Sequence, residues 1–292
     1  MAWTNEKPWH GLGADIGANL SPHEMLVKAK LDYKRPYTSS ANHETFRFIK
    51  SFVEAGNAQL QTVGSLDKGR IIWVLARLNE TFTLKGVDPV AGCLLFASRN
   101  EKRDSVQMQV TTVREVCGNT LQVDCKARST FRNPFRRQFK STLPFLSPAA
   151  TQLDQDMIQK AKENIGLGRE AIAAFASDAE RLADQKVDDP TAHRYMFDVF
   201  QPGTAGESPV IGEKEIEELA EKKTRMAIEA IKKAPGQDLE AARMTAWGLL
   251  NAVTYTVDHH LGNNRDSRLR LAWFGGNADI KKRAFQLALE LL

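Results

Sequence analysis

Cysteine is scarce in this sequence and stands in no recognisable pattern. The three cysteines, Cys93, Cys117 and Cys125, are odd in number and form no CxxC pair, which disfavours both a secreted disulfide framework and a zinc site. At 292 residues, the chain is long enough to bury a core without covalent staples. We therefore predict a reducing, cytoplasmic environment and expect no bound metal or other cofactor.

Long apolar runs and common catalytic motifs are also missing. No stretch approaches the roughly 20 apolar residues that span a bilayer, and the N-terminus has no apolar segment typical of a signal peptide. The sequence contains neither a GxxxxGK[ST] phosphate-binding loop nor a GxSxG nucleophile motif. We therefore expect no membrane insertion and no P-loop ATP hydrolysis, and we assign no catalytic residue.

Positive charge is distributed unevenly along the chain. Residues 1–146 carry 21 Lys and Arg against 13 Asp and Glu, a net charge of +8, whereas residues 147–292 carry 19 against 23, a net charge of −4. Within the first half, residues 126–140 contain six positive charges and no acidic residue. This stretch, which we call the basic segment, is the strongest indication of a binding surface in the sequence.

The pattern of apolar residues predicts short strands in the first half of the chain. Ser21, Pro22 and Glu24 have the signature of a capped helix start. After this helix, an antiparallel meander is predicted from Tyr33 to Val90, and two further strands follow it. The predicted strands include FRFIKSF, LQTVGSL, RIIWVLARL, TFTLKGV, VAGCLLFASR and VQMQVTTVREV.

Helical periodicity dominates after Pro148. Asn277 fits the N-cap of the last predicted helix. The predicted fold is α+β, with an antiparallel sheet and helices in the N-terminal half and a helical C-terminal half. The halves correspond to a basic region, residues 1–146, and a helical region, residues 147–292, either as two domains or as one continuous domain. Helices are predicted near residues 151–185, 190–200, 213–233, 238–261 and 278–292.

The basic segment combines two kinds of side chain that bind nucleic acids. Cationic groups neutralise phosphates, and aromatic rings offer stacking surfaces to bases, a combination found in proteins that bind single strands. The alternative interpretation is a solvated basic face whose phenylalanines are anchored in the core. The predicted binding residues are Lys126, Arg128, Phe131, Arg132, Phe135, Arg136, Arg137 and Lys140.

Two other groups of polar residues give weaker indications of chemistry. Asp258, His259 and His260 are adjacent near the end of a predicted helix, where neighbouring side chains point about 100° apart. The histidines therefore lack the i, i+4 spacing of a helical zinc site, and a surface role is favoured. The carboxylates of residues 104, 115 and 124 lie near the basic segment and leave a metal-dependent nuclease as an alternative, although their spacing matches no known motif.

Several short pieces of sequence, in order along nearly the whole chain, carry a family resemblance. Through them the chain resembles the phage/plasmid-like protein family, a domain of unknown function with no established activity or catalytic residues. It is also distantly similar to the single-strand annealing proteins of phage. The pieces are PWHGLG at Pro8–Gly13, VCGNTL at Val116–Leu121, AWGLLNAVTYTVDH at Ala246–His259, and LAWFGGNADIKKRAFQLALELL after them.

The resemblance implies a protein of a mobile element, whose gene lies beside replication and recombination functions. Similarity to annealing proteins implies a curved antiparallel sheet with helices, assembled into rings, in which the basic segment lines a groove for the sugar–phosphate backbone. The leading hypothesis is a non-enzymatic homo-oligomer that binds single-stranded DNA or RNA and promotes annealing or recombination. The alternatives are a host-interaction protein with an anti-defence or regulatory role, acting through its acidic helical half, and the nuclease.

Overall fold

The computed structural model describes residues 12–16, 20–29, 36–99, 106–123, 143–146, 155–201 and 213–292. Within these residues, an antiparallel sheet is built by the N-terminal half of the chain, and most helices belong to the C-terminal half. The predicted α+β class is confirmed. No helix in the described ranges is both long and apolar enough to cross a membrane.

The sheet is a meander with an interrupted edge. Its strands are β1 Gly13–Asp15, β2 Gln59–Leu66, β3 Ile71–Leu84, β4 Asp88–Arg99, β5 Val106–Arg114, β6 Asn119–Gln122 and β7 Leu143–Leu146. Each strand from β1 to β6 pairs antiparallel with the next, whereas β7 pairs with β5. Two predicted strands, RIIWVLARL and TFTLKGV, are a single strand, β3, whose pairing with β4 shifts register between Arg77 and Thr81.

The helices largely follow the predicted pattern. They are α1 Pro22–Lys28, α2 Pro36–Ala55, α3 Gln155–Asp184, α4 Asp189–Phe200, α5 Glu213–Lys233, α6 Ala246–His259, α7 Arg265–Phe274 and α8 Gly276–Leu289. The predicted capping box of α1 is confirmed, since the Ser21 backbone N–H donates to the Glu24 carboxylate at 2.7 Å and the Glu24 N–H donates to the Ser21 hydroxyl at 3.3 Å. The predictions for α3, α4 and α5 are confirmed.

The segment FRFIKSF, predicted as a strand, lies in α2 and is a correction to the sequence interpretation. Phe46, Ile49, Phe52 and Val53 are all buried. Their spacing of three and four residues places them on one face of a helix. Phe52 contacts Phe96 of β4, with ring centroids 5.7 Å apart. Packing on the sheet therefore decides in favour of the helix.

Helix boundaries in the last third of the chain also differ from the prediction. α6 begins at Ala246 and not near residue 238, because Met244 has a φ of 49° and cannot continue a right-handed helix. The hydroxyl of Thr245 caps α6 by accepting from the Gly248 N–H at 3.1 Å. α7 lies between two predicted helices. The N-cap of α8 is Gly275, so the assignment of Asn277 as N-cap is wrong.

The core lies on both faces of the sheet. On one face, Leu94 and Val110 lie against α3 near Gly168. On the other face, Trp73 makes an edge-on contact with Trp273 of α7, with ring centroids 5.0 Å apart. Buried apolar residues from both halves of the chain form one contiguous cluster. The proposed division between residues 146 and 147 stays a prediction.

Candidate functional site

The predicted nucleic-acid-binding residues lie outside the part of the chain that the structure describes. They are Lys126, Arg128, Phe131, Arg132, Phe135, Arg136, Arg137 and Lys140. The strands on either side of them are described. β6 ends at Gln122, β7 begins at Leu143, and both strands pair with β5.

The two ends of the stretch that contains the basic segment lie close together on β5. Val123 donates its backbone N–H to the carbonyl of Val110 at 3.0 Å, and Leu143 lies opposite Met108. Two residues of a strand span roughly 7 Å. The 19 residues from position 124 to position 142 are therefore an insertion between two successive pieces of one edge strand. We call this stretch the edge insertion.

A buried polar cluster adjoins the strand that leads into the edge insertion. Lys281 of α8 donates to Oδ1 of Asp258 in α6 at 2.7 Å and to the hydroxyl of Thr120 in β6 at 2.8 Å. The Thr120 N–H donates to Oδ2 of Asp258 at 2.7 Å, and Trp273 Nε1 donates to the Thr120 hydroxyl at 3.2 Å. All four residues are buried. The cluster therefore ties β6 to three helices through a charged pair shielded from water.

A second buried ion pair joins the sheet to α6. Arg114, at the end of β5, donates through Nε to the Asp88 carboxylate at 2.8 Å and through Nη2 to the Gly236 carbonyl at 2.7 Å. The indole Nε1 of Trp247 donates to the same carboxylate at 2.9 Å. Asp88 is 0% and Arg114 2% exposed. The charges of Asp88 and Arg114 are therefore compensated by each other and by hydrogen bonds to protein groups, as a buried ion pair requires.

Further hydrogen bonds link β6 to α6 and α7. The side-chain amide of Asn119 donates to the Asn251 carbonyl at 3.1 Å and to the Thr254 hydroxyl at 3.0 Å. Gln122, the last residue of β6, donates to the Trp273 carbonyl at 2.7 Å. These contacts and the buried cluster therefore join three of the pieces that carry the family resemblance, VCGNTL, AWGLLNAVTYTVDH and LAWFGGNADIKKRAFQLALELL.

Comparison with protein families gives a match over most of the chain. Residues 33–273 match the family described as Domain of unknown function (DUF932). The chain belongs to the DUF932 family. The DUF932 match includes Asp88, Arg114, Thr120 and Asp258 and ends before Lys281. Searches among curated proteins and among solved structures found no match.

Burial shifts the pKa of several groups in this DUF932 chain. Burial lowers the pKa of Lys281, and the Asp258 carboxylate partly offsets that effect. Burial likewise raises the pKa of Cys117, and it raises the pKa of Cys93 to about 12. Both thiols therefore stay protonated near neutral pH, and neither suits the role of a nucleophile, which requires a thiolate.

The residues considered for metal chemistry do not come together in the described part of the chain. Glu115 pairs with Arg77 at 2.5 Å, and positions 104 and 124 lie outside the described residues. Within those residues, no group of three His, Cys, Asp or Glu side chains is placed to hold a metal ion. His259 Nε2 lies 3.1 Å from the Cys117 carbonyl.

Sequence reasoning missed the buried cluster and assigned Asp258 to the surface, which is wrong because this carboxylate is 7% exposed. A local signal of the cluster does exist. Lys281 lies among Ala278, Ala284 and Ala288, which are the other buried residues of α8. A lysine at helical spacing within an apolar face indicates a buried charge that needs a partner.

Proposed function

We propose that this DUF932 chain is a non-enzymatic, single-stranded nucleic-acid-binding protein of a phage or plasmid that promotes annealing or recombination. The observation that carries the proposal is the attachment of the edge insertion. Its flanking residues, Val123 and Leu143, lie opposite Val110 and Met108 of β5. A strongly cationic stretch is thereby attached at both ends to one edge of the sheet.

The length of the edge insertion supports a role beyond connecting two strands. Connections between secondary-structure elements typically have about 4–6 residues, whereas this one has 19 although its ends are roughly 7 Å apart. Connections longer than about 12–15 residues are uncommon and often serve in binding. The composition fits nucleic acid, because six positive charges without an acidic residue attract phosphates and three phenylalanines can stack on bases.

A rigid attachment strengthens the proposal. Thr120 and Gln122 precede the edge insertion and are held by Asp258, Lys281 and Trp273 through hydrogen bonds of 2.7 to 3.2 Å. Fixing the attachment strand before binding reduces the ordering that a ligand must impose. The buried cluster therefore acts as support for a binding segment, and we assign it no chemistry of its own.

The direct test is the binding of a fluorescent single-stranded oligonucleotide, measured by anisotropy across a salt series with the matched duplex as comparator. We expect affinity that falls steeply with salt and favours the single strand. The double variant Arg136→Glu, Arg137→Glu should lose binding to every sequence. A matched control, Lys214→Glu with Lys222→Glu, makes the same change of charge at exposed positions of α5 and should bind normally.

Two outcomes would overturn the proposal. One is absence of binding by the unmodified chain at low salt, and the other is equal affinity in the Arg136→Glu, Arg137→Glu variant and the control.

If binding is found, the rate at which complementary strands anneal should rise with protein concentration. A homo-oligomer, which we include in the proposal, can hold two strands at once and is tested by the mass of the particle in solution.

A further inference from the structure

Positive charges from two distant parts of the chain meet where the turn between β2 and β3 adjoins the start of α7. Within residues 67–70 and 265–270, five positive charges stand against two negative ones, a net charge of +3. We call the five cations the turn–helix patch. They are Lys68, Arg70, Arg265, Arg268 and Arg270.

A specific contact joins the two parts of the patch. The Asp67 backbone N–H donates to both carboxylate oxygens of Asp266, at 2.8 and 3.1 Å. This contact brings Lys68, one residue after Asp67, near Arg265, one residue before Asp266. It also occupies the carboxylate of Asp266, which is one of the two acidic side chains in these two stretches.

The five cations differ in their exposure to solvent, and Arg268 is the most enclosed, because its Nη2 donates to the Gly262 carbonyl at 3.4 Å. Lys68 and Arg265 are exposed, and Arg268 and Arg270 are half-buried. The Arg70 side chain is 64% exposed, and its pair with Asp67 is long, at 3.7 Å. Exposed pairs of this kind contribute little energy.

Helix α7 leads from the patch to the last residue of β6. Trp273 lies eight residues after Arg265, a distance of about 12 Å along a helix axis. The Trp273 carbonyl accepts from Gln122 at 2.7 Å, and Gln122 is the last residue of the strand before the edge insertion. The patch and the attachment of the edge insertion therefore lie at opposite ends of one short helix.

We infer that the turn–helix patch is a second contact region for the nucleic-acid strand of the proposed function, at the end of α7 opposite its contact with Gln122 of β6. The inference rests on the proposed function and extends the bound length of the strand. Helix α5 shows the contrast, because its six lysines and arginines are offset by six glutamates. Its cations therefore provide matched controls.

The experiment compares two lengths of fluorescent oligothymidylate, of about 10 and about 30 nucleotides, since a single-strand site commonly covers about 4–16 nucleotides. The patch variant is Lys68→Glu with Arg265→Glu, and the control is Lys214→Glu with Lys222→Glu. We expect the patch variant to bind the long strand about tenfold more weakly, with a salt slope reduced by about 2, and to bind the short strand normally. The control should match the unmodified chain.

The neutral variant Lys68→Gln with Arg265→Gln guards against loss of folding, and we expect it to lose part of the long-strand affinity. The inference is wrong if both patch variants bind the long strand like the control while Arg136→Glu, Arg137→Glu abolishes binding, a result that leaves the proposed function standing. If the unmodified chain binds neither strand, the proposed function and this inference are both wrong.

Discussion

The Nζ of Lys281 in α8 lies 2.7 Å from Oδ1 of Asp258 in α6, and both side chains are at least nine-tenths buried. Thr120 contacts both members of the pair, because its N–H donates to Asp258 at 2.7 Å and its hydroxyl accepts from Lys281 at 2.8 Å. Removing one member of such a pair leaves the other charged and without water. The pair and Thr120 therefore hold α6, α8 and β6 together, and loss of either charge should strongly destabilise the fold.

The first prediction concerns the loss of Lys281. Lys281→Met should lower the free energy of unfolding by about 3–5 kcal/mol, because the Asp258 carboxylate would stay buried without its cation. Urea unfolding followed by circular dichroism measures this change. Lys232→Met, at an exposed position of α5, serves as control and should change stability by less than about 0.5 kcal/mol. A similar small effect for both variants would contradict the assigned role of the pair.

Local sequence patterns predict those elements whose signals lie within a few residues. The capping box at Ser21 and Glu24 is such a case. The prediction for FRFIKSF is wrong because a run of seven residues with apolar positions at Phe46, Phe48, Ile49 and Phe52 fits either a strand or a helix. The choice depends on the contact with the sheet at Phe96, 44 residues beyond Phe52, which no local pattern contains.

The pairing within the buried cluster is a second feature that local sequence patterns cannot predict. Thr120 and Asp258 are 138 residues apart in sequence, and no local pattern around either residue identifies the other as its partner. Asp258 is followed by two histidines, which favours a surface assignment. By contrast, the basic segment is visible from charge alone, although the attachment of its ends to neighbouring positions of β5 depends on the pairing of strands.

The second prediction compares a buried and a half-exposed ion pair on the same sheet. Asp88→Asn should lower the free energy of unfolding by about 3–5 kcal/mol, because Arg114 would keep its charge without a counterion. Glu115→Gln removes the partner of Arg77, whose side chain is 36% exposed, and should cost less than about 1 kcal/mol. Chemical denaturation of both variants tests the contrast. Equal losses would show that burial does not determine the strength of the Arg114 pair.

The third prediction is a loss of stability at alkaline pH that depends on Cys93. Burial raises the pKa of this thiol from 9.0 to about 12. A folded-state pKa above the unfolded value gives stability that is complete below about pH 9 and is lost as the pH rises towards about 12, by up to roughly 1.4 kcal/mol per pH unit. Cys117 and Tyr195, whose pKa values are also raised, act in the same direction, and Lys281 acts in the opposite one.

Comparison with Cys93→Ala isolates the contribution of this thiol, since the other groups are the same in both proteins. Between about pH 8 and pH 10, the free energy of unfolding of the unmodified chain should fall relative to that of Cys93→Ala by roughly 1 kcal/mol. Unfolding in urea at each pH provides the measurement. Parallel decreases in the two proteins would mean that Cys93 ionises equally in the folded and the unfolded chain.

The last prediction separates the fold from binding by removing the edge insertion. Val123 and Leu143 lie opposite residues of β5 that are two apart, so a linker of about three residues spans the gap of roughly 7 Å. Replacing residues 124–142 with such a Gly/Ser linker should keep the circular dichroism spectrum and cooperative unfolding, because the sheet and the buried cluster keep their contacts. Binding of single-stranded oligonucleotide should be lost.

A linker of the same composition but with the original length provides the matched control, since it removes the charges and rings and keeps the spacing of the strands. Both variants should fold, and both should fail to bind, if the function resides in the side chains of the edge insertion. Binding retained by either variant would move the binding site elsewhere on the chain. Unfolding of the short variant alone would show that β6 and β7 are not successive pieces of one edge strand.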